Sequence, residues 1–369
     1  MPGPVAGPGQ TTRGTVFSYS MSNTIPRPGR GAVSNAPGRF ARRHSEPDEP
    51  AGPGPDTRLH EETAASIVSR NRSPDVPFDQ SLNPYRGCEH GCVYCYARPT
   101  HSYLDLSPGL DFESQIFVKT NAAERLRETL MNPRYACQPI TIGANTDAYQ
   151  PAERSRRITR GVLEVLAEFR HPFSIITKSA LIERDLDILA EMAADGLCSV
   201  AVSLPTLQDE VKRLLEPRAP APARRLRTIE RLAAAGVPVT LMLAPVIPAL
   251  TDHEIEDILQ AAAAAGADRA TWVLLRLPHE VAPLFREWLE THYPDRAARV
   301  MSLVRQSRGG RDYDSAWGRR QRGTGEYAGL IARRFVLARR RAGYGEGERQ
   351  LDTGRFRRPH PAGQLALGL

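Results

Sequence analysis

The chain has 369 residues, 41% of them hydrophobic and 25% charged, with a formal net charge of +7. This composition suits one large soluble domain or two small ones, and it excludes a mostly disordered chain, a coiled coil and a membrane protein. The charge is uneven: residues 1–60 carry net +3, residues 61–294 net −6 and residues 295–369 net +10, an asymmetry that suggests a polyanionic partner, most simply nucleic acid.

Residues 1–60 hold 10 prolines and 9 glycines with few large apolar side chains. Such a stretch buries too little surface to offset its ordering entropy, so it is expected to be a disordered tail. Its apolar content is too broken for a signal peptide, and the expected location is the cytoplasm, where thiols stay reduced. No membrane partner is expected, because the longest apolar candidate, residues 237–250, is interrupted by Pro238, Pro245 and Pro248.

From about residue 80 short β-rich runs alternate with helical periodicity. Strands are predicted at 139–143, 173–177, 198–204, 237–243 and 270–277. Between them, Val162, Leu163, Leu166 and Phe169 line an apolar face opposite Arg157, Gly161, Glu164 and Glu168. Residues 181–194, 223–235, 252–265 and 280–291 read as further helices. Gly196, Gly236 and Gly266 suit left-handed helix ends, and Asp252 suits an N-cap. With one more strand before Cys88, six βα units are expected, too few for a closed eightfold barrel. An open partial barrel and a doubly wound sheet both fit the pattern.

In either architecture the chemistry belongs at the carboxyl ends of the strands. The segments expected there are polar and specific: Gly143-Ala144-Asn145-Thr146-Asp147, Thr177-Lys178-Ser179, Ser203-Leu204-Pro205-Thr206, Val246-Ile247-Pro248 and Arg276-Leu277-Pro278-His279-Glu280.

Just upstream, Cys88-Glu89-His90-Gly91-Cys92-Val93-Tyr94-Cys95 sets three thiols at C-x3-C-x2-C spacing. Thiolates this close repel one another unless a soft cation neutralises them. Gly87 and Gly91 let the backbone wrap such a centre. Zinc wants a fourth ligand, for which His90 is awkwardly placed inside the loop. A [4Fe-4S] cluster held by three cysteines leaves one iron open. Buried packing thiols are the third reading.

With an aromatic before the third cysteine, this motif resembles the signature of radical S-adenosylmethionine (SAM) enzymes. Asn83-Pro84-Tyr85-Arg86-Gly87-Cys88 and Cys95-Tyr96-Ala97-Arg98-Pro99 are similar to the spore-photoproduct-lyase-related branch. Gly143 to Pro151, Ile176-Thr177-Lys178-Ser179, Glu216-Pro217-Arg218-Ala219, Ala244 to Pro248 and Leu274 to Pro278 extend the likeness over residues 80–340.

The resemblance implies an α/β fold, a partial (β/α)6 TIM-type barrel, over residues 61–294. It implies that Cys88, Cys92 and Cys95 hold three irons of a [4Fe-4S] cluster while SAM takes the fourth. One electron, from a donor such as flavodoxin or ferredoxin, would then cleave SAM to methionine and a 5′-deoxyadenosyl radical. Tyr94 is placed against the adenine, and Lys178 and Ser203 at the SAM carboxylate, for which an ammonium and a hydroxyl are apt. Asn145 is a further SAM candidate by its strand-end position, and Tyr96 matches a tyrosine implicated in the lyase's hydrogen return. The resemblance breaks at the lyase's hydrogen-donating cysteine after the second strand, where this chain reads Ala144-Asn145-Thr146-Asp147. Cys137 and Cys198 fall toward the opposite end and read as packing residues. Radical SAM chemistry is expected, and spore photoproduct repair is not.

Residues 295–345 are expected to form a helical, arginine-rich extension. Arg305, Arg308, Arg311, Arg319, Arg320, Arg322, Arg333, Arg334, Arg339, Arg340 and Arg341 are interspersed with Tyr313, Trp317, Tyr327 and Phe335. That mixture suits phosphate contacts and base stacking, while Leu330, Ile331, Phe335, Val336 and Leu337 are spaced like a buried helix face. Residues 346–369 read as a flexible tail ending Gln364-Leu365-Ala366-Leu367-Gly368-Leu369, similar to a bacterial sliding-clamp-binding peptide. The leading expectation is thus a radical SAM enzyme acting on nucleic acid or its lesion. A small-molecule or peptide substrate is the alternative, and a nucleic-acid-binding module with a structural iron–sulfur or zinc centre is the non-enzyme reading.

Overall fold

A computed structural model describes residues 26–40 (except 28 and 37) and 57–359 (except 348). Ten strands lie among them: β1 (Arg58–Glu62), β2 (Val68–Arg70), β3 (Gln80–Leu82), β4 (Tyr85–Arg86), β5 (Gln115–Lys119), β6 (Ile140–Ile142), β7 (Phe173–Thr177), β8 (Cys198–Ser203), β9 (Val239–Val246) and β10 (Arg269–Leu274). Strands β3, β6, β7, β8, β9 and β10 pair in that order and are all parallel, with β2 antiparallel on the outer side of β3. The edges, β2 and β10, do not pair with each other, so the six-stranded barrel is open.

Side-chain alternation sets the two faces of this sheet. Phe173, Ile175, Val200, Val202, Leu241 and Leu243 are buried in the main core with helix residues such as Val162, Leu163, Leu166, Leu189, Ile229 and Ile258. Their alternates Ser174, Ile176, Ser199, Ala201, Thr240 and Met242 occupy the opposite, inner face and stay partly exposed. Five crossover helices carry the outer layer: Ala122–Met131, Ile158–Glu168, Leu186–Ala194, Pro222–Ala234 and Ile255–Ala264. Three of them end in the expected left-handed glycines, with φ of 71° at Gly196, 77° at Gly236 and 99° at Gly266. Asp252 is not the N-cap expected of it. It begins a 3₁₀ turn after Thr251, and its carboxylate is taken by the Tyr327 hydroxyl.

A single loop deals with the open side. The Leu274 N–H donates to the Gln321 carbonyl at 2.8 Å, and Arg308 donates to the Leu274 and Leu275 carbonyls at 3.2 and 2.7 Å, so the end of the exposed edge strand is occupied. The same loop reaches the opposite edge, where the Gly318 N–H and the Arg320 guanidinium both bind Asp75, between β2 and β3.

The arginine-rich extension is helical over Pro294–Gln306 and Gly325–Arg341. Its buried face is only in part the one expected: Ile331 and Phe335 are buried as expected. Ala328, Ile331, Phe335 and Ala338 face the core, while Leu330, Val336 and Leu337 are exposed. Helical spacing admits one stripe about 100° wide per turn, and the barrel takes the stripe with the small alanines, which lets the helix sit close.

Two segments expected to be disordered are docked. In residues 26–40, Ala32 and Val33 are buried, and Asn35 bonds Asp111. In residues 346–358, Asp352 and Arg357 donate through their backbone to Gly196 and Phe169, and Phe356 packs on His171. Composition weighs apolar area alone, whereas these short stretches are held by backbone partners that the finished fold supplies. The candidate clamp peptide, residues 364–369, lies outside the described residues.

Candidate active site

A small second sheet, ordered β1-β5-β4, delivers the cysteine loop to the barrel. Strand β4 runs directly into Gly87 and Cys88, and the Cys88 N–H donates to the Phe112 carbonyl at 2.9 Å. Gln150, fully buried, stitches the loop to the rim after β6. Its amide oxygen accepts from the Glu89 N–H at 2.9 Å and its nitrogen donates to the Gly87 carbonyl at 3.1 Å. Arg98 donates to the Cys92 carbonyl at 2.9 Å and forms a pair with Glu113 at 2.5 Å, with neither side chain exposed. Glu113 also accepts the N–H groups of Gly31 and Ala32, at 3.0 and 2.8 Å. Only glycine fits at Gly91, where φ is +67° and a Cβ would lie 2.9 Å from Glu113 Oε2.

Cys88 and Cys92 are buried and Cys95 is partly exposed. Burial, then the Asp147 carboxylate, then the other two thiols drive the Cys88 pKa well up. Burial pushes Cys92 up to about 12 against the pull of the Lys178 ammonium. Thiols in this condition do not ionise at neutral pH unless cationic charge is placed among them. With Cys95 on the same loop, these sulfurs fit a soft, thiolate-bound centre. Among the described residues no three His, Cys, Asp or Glu side chains gather around a single ion; a cubane cluster asks instead for one thiolate on each of three irons. His90, weighed as a zinc ligand, places its Nδ1 3.3 Å from Asp147 Oδ2.

The strand ends converge on this loop. Asp147 accepts from Thr177 Oγ1 at 2.7 Å and from the Lys178 and Tyr149 N–H groups at 2.8 and 2.9 Å, joining the rims after β6 and β7. Burial alone would raise its carboxyl, but His90 and Lys178 outweigh that and hold the pKa below the usual range. Asn83 Oδ1 accepts the Asn145 N–H at 2.8 Å, which places Asn145 on the same rim. Lys178 stands with its Nζ 6.0 Å from the Tyr94 ring centroid. Although burial disfavours its charge, Cys92, Glu216 and Asp147 together raise its pKa.

Behind Tyr94 lies a buried chain of polar contacts. The Tyr94 hydroxyl donates to Glu216, which is paired with Arg225. Arg225 in turn donates to the Ser203 carbonyl at 3.0 Å, and Ser203 Oγ donates to the Ala244 carbonyl at 3.1 Å. Tyr96 crosses the mouth on the outer side. Its hydroxyl donates to the Ala144 carbonyl after β6, and its ring lies 4.7 Å from the Arg276 guanidinium after β10.

The sequence pattern of the radical SAM superfamily matches residues 82–262, which take in the cysteine loop and β4 through β9. An uncharacterised protein of Mycobacterium tuberculosis is 42% identical over 253 residues, 67% of this chain and 74% of the relative. The chain belongs to the radical SAM superfamily. An uncharacterised protein of Methanocaldococcus jannaschii is 28% identical over 173 residues, 47% of this chain and 62% of that one. A double mutant of spore photoproduct lyase, solved with AdoMet and dinucleoside spore photoproduct bound, shares the fold at a TM-score of 0.52 and 16% identity, over 77% of this chain and 78% of the lyase. As a radical SAM protein the chain is an enzyme whose cofactors are a [4Fe-4S] cluster and SAM, and its reaction requires an electron donor. Among the described residues no helix is long and apolar enough to cross a membrane.

The structure brings Cys88, Cys92, Cys95, Tyr94, Asn145, Lys178 and Tyr96 together at this mouth. Ser203 reaches it through Arg225 and lies 2% exposed, its hydroxyl already donated to Ala244. Cys137 precedes β6 and Cys198 begins β8, at the amino ends of the strands and away from the cysteine loop. The organising roles of Asn83, Gln150, Glu216 and Arg225 are absent from the local pattern. Asn83, Gln150 and Glu216 lie in segments that carry the family resemblance, which is the signal that could have found them, whereas Arg225 sits within the helix Pro222–Ala234 with no such signal.

Proposed function

We propose that this radical SAM enzyme acts on nucleic acid or a nucleic-acid lesion. In this reading Cys88, Cys92 and Cys95 hold the cluster, Tyr94, Lys178 and Asn145 bind SAM, and Ser203 supports that site through Arg225. When loaded and given one electron, from a donor such as flavodoxin or ferredoxin, these cofactors supply a 5′-deoxyadenosyl radical. Glu216 fixes the Tyr94 ring through its hydroxyl, Asp147 holds the backbone of Lys178, and Lys178 offers an ammonium to a carboxylate.

The observation that carries the substrate reading is the mouth itself. Tyr96 and Arg276 present an aromatic ring and a guanidinium stacked across the opening beside the cysteine loop, a pairing suited to a base and its phosphate. Fold likeness to a lyase solved with a dinucleoside photoproduct is in keeping with this. The reaction is assigned as other than spore photoproduct repair. The rim after β6 has no thiol, burial raises the pKa of Cys198 and holds Cys137 at about 11, and both lie at the far end of the barrel. Docking at a sliding clamp through residues 364–369 belongs to the same proposal.

The test is anaerobic reconstitution followed by turnover with deuterium-labelled oligonucleotides. Label arriving in 5′-deoxyadenosine supports the reading. Label transfer from a small molecule or peptide, and none from any oligonucleotide, would sink it.

A further inference from the structure

Several arginines around the open side of the barrel are engaged. Arg308 gives its guanidinium to four backbone carbonyls, Arg320 to Asp75 and Ser73, and Arg322 to the Trp272 carbonyl. Arg305 pairs with Asp312 at 2.7 Å and Arg319 with Asp314 at 3.3 Å. Arg276, two residues past the end of β10, makes no ion pair among the described residues. Its contacts are the Tyr96 ring and a 3.4 Å donation to the Tyr313 hydroxyl, and its Nε is buried without a hydrogen-bond partner.

A partly buried guanidinium with unused donors, facing the reaction chamber, is destabilising unless an anion completes it. The oxyanion has two possible sources, the SAM carboxylate and a substrate phosphate. Lys178, with its Nζ 6.0 Å from the Tyr94 ring centroid, is the cation already proposed for the SAM carboxylate. We infer that Arg276 is a substrate-binding residue that takes a phosphodiester group, with the adjoining base on Tyr96. This rests on the nucleic-acid reading and specifies which substrate group each of the two side chains takes.

The experiment uses the full-length, cluster-reconstituted protein under anaerobic conditions. A fluorescein-labelled single-stranded oligodeoxynucleotide reports binding by anisotropy across a salt series, and equilibrium dialysis reports SAM binding. R276Q is expected to weaken oligonucleotide binding about tenfold. It should also lower the salt slope by roughly 0.7, the share of one phosphate, and leave SAM affinity unchanged. Unchanged oligonucleotide binding, or loss of SAM binding instead, overturns the assignment and removes the support that Tyr96 and Arg276 give the nucleic-acid reading, which deuterium transfer from an oligonucleotide would still carry. Absence of oligonucleotide binding by the wild-type protein overturns both. Should R276Q fail to fold, R276K is read in its place. It keeps the charge and loses the fork, so weakening of about threefold is expected, and unchanged affinity overturns the assignment.

Discussion

The barrel mouth and the arginine-rich extension are both dense in charge, yet they hold it in opposite ways. In the extension, part of the charge is already engaged: Arg305, Arg319 and Arg334 each meet a carboxylate, and Arg308 and Arg322 meet backbone carbonyls. At the mouth, beside the three thiols, neither the Lys178 ammonium nor Arg276 makes an ion pair among the described residues, although Asp147 and Glu216 stabilise the charge of Lys178 from nearby. Net charge counted along a sequence therefore overstates what the extension can offer a polyanion and understates what the mouth can. Availability depends on whether a cation already has a partner.

The largest expected effect tests the mouth. Cys92→Ala should abolish the cluster's visible absorbance and 5′-deoxyadenosine formation together, with the fold retained by circular dichroism. Cleavage persisting in that variant would break the comparison, because the open charge at the mouth would then need no cluster. Next comes the scaffold beneath it. Arg225→Met strands the Glu216 carboxylate, whose partner is otherwise 1% exposed. A loss of about 3–5 kcal/mol in urea unfolding is expected, with much of it restored in the Arg225→Met, Glu216→Leu double variant.

A third prediction concerns the opposite end of the barrel. Burial holds His171 down at about 4, against 6.5 for an unperturbed imidazole. The folded state thus binds fewer protons than the unfolded chain between those values. His171's contribution is complete above pH 6.5 and is lost as the pH falls toward 4, by about 3 kcal/mol in all. His171→Gln should flatten that loss, measured by urea unfolding at pH 7.5 and 4.5. Equal losses in both proteins would place the proton uptake elsewhere. The smallest effect belongs to the extension. Arg334→Gln removes a half-exposed pair with Glu256 and should cost under about 1 kcal/mol. It should change oligonucleotide affinity less than twofold, and a change as large as that of R276Q would erase the distinction between the two regions.

Legibility from the sequence followed the range of the interactions. The C-x3-C-x2-C spacing, the strand at 173–177 and the apolar stripe of Val162, Leu163 and Leu166 are local patterns, and each was readable from its own segment. Residues 26–40 and 349–358 were misread because their anchors, Glu113 in one case and the Phe169 and Gly196 carbonyls in the other, belong to distant segments. Leu330, Val336 and Leu337 were misread because two faces of one helix were plausible and only contact with the barrel selected between them.

By itself, then, the sequence determined the number of βα units, the three-thiol loop and the rim segments that accompany it, since these depend on periodicity and short spacing. Tertiary structure alone decided that Glu216 and Arg225 brace Tyr94, that Asp147 joins two strand ends, and that Arg276 makes no ion pair while Arg305, Arg319 and Arg320 do. Partnership between charges is set by distances across the folded chain, from Tyr94 to Glu216 or from Asp75 to Arg320, and no pattern within either segment encodes it.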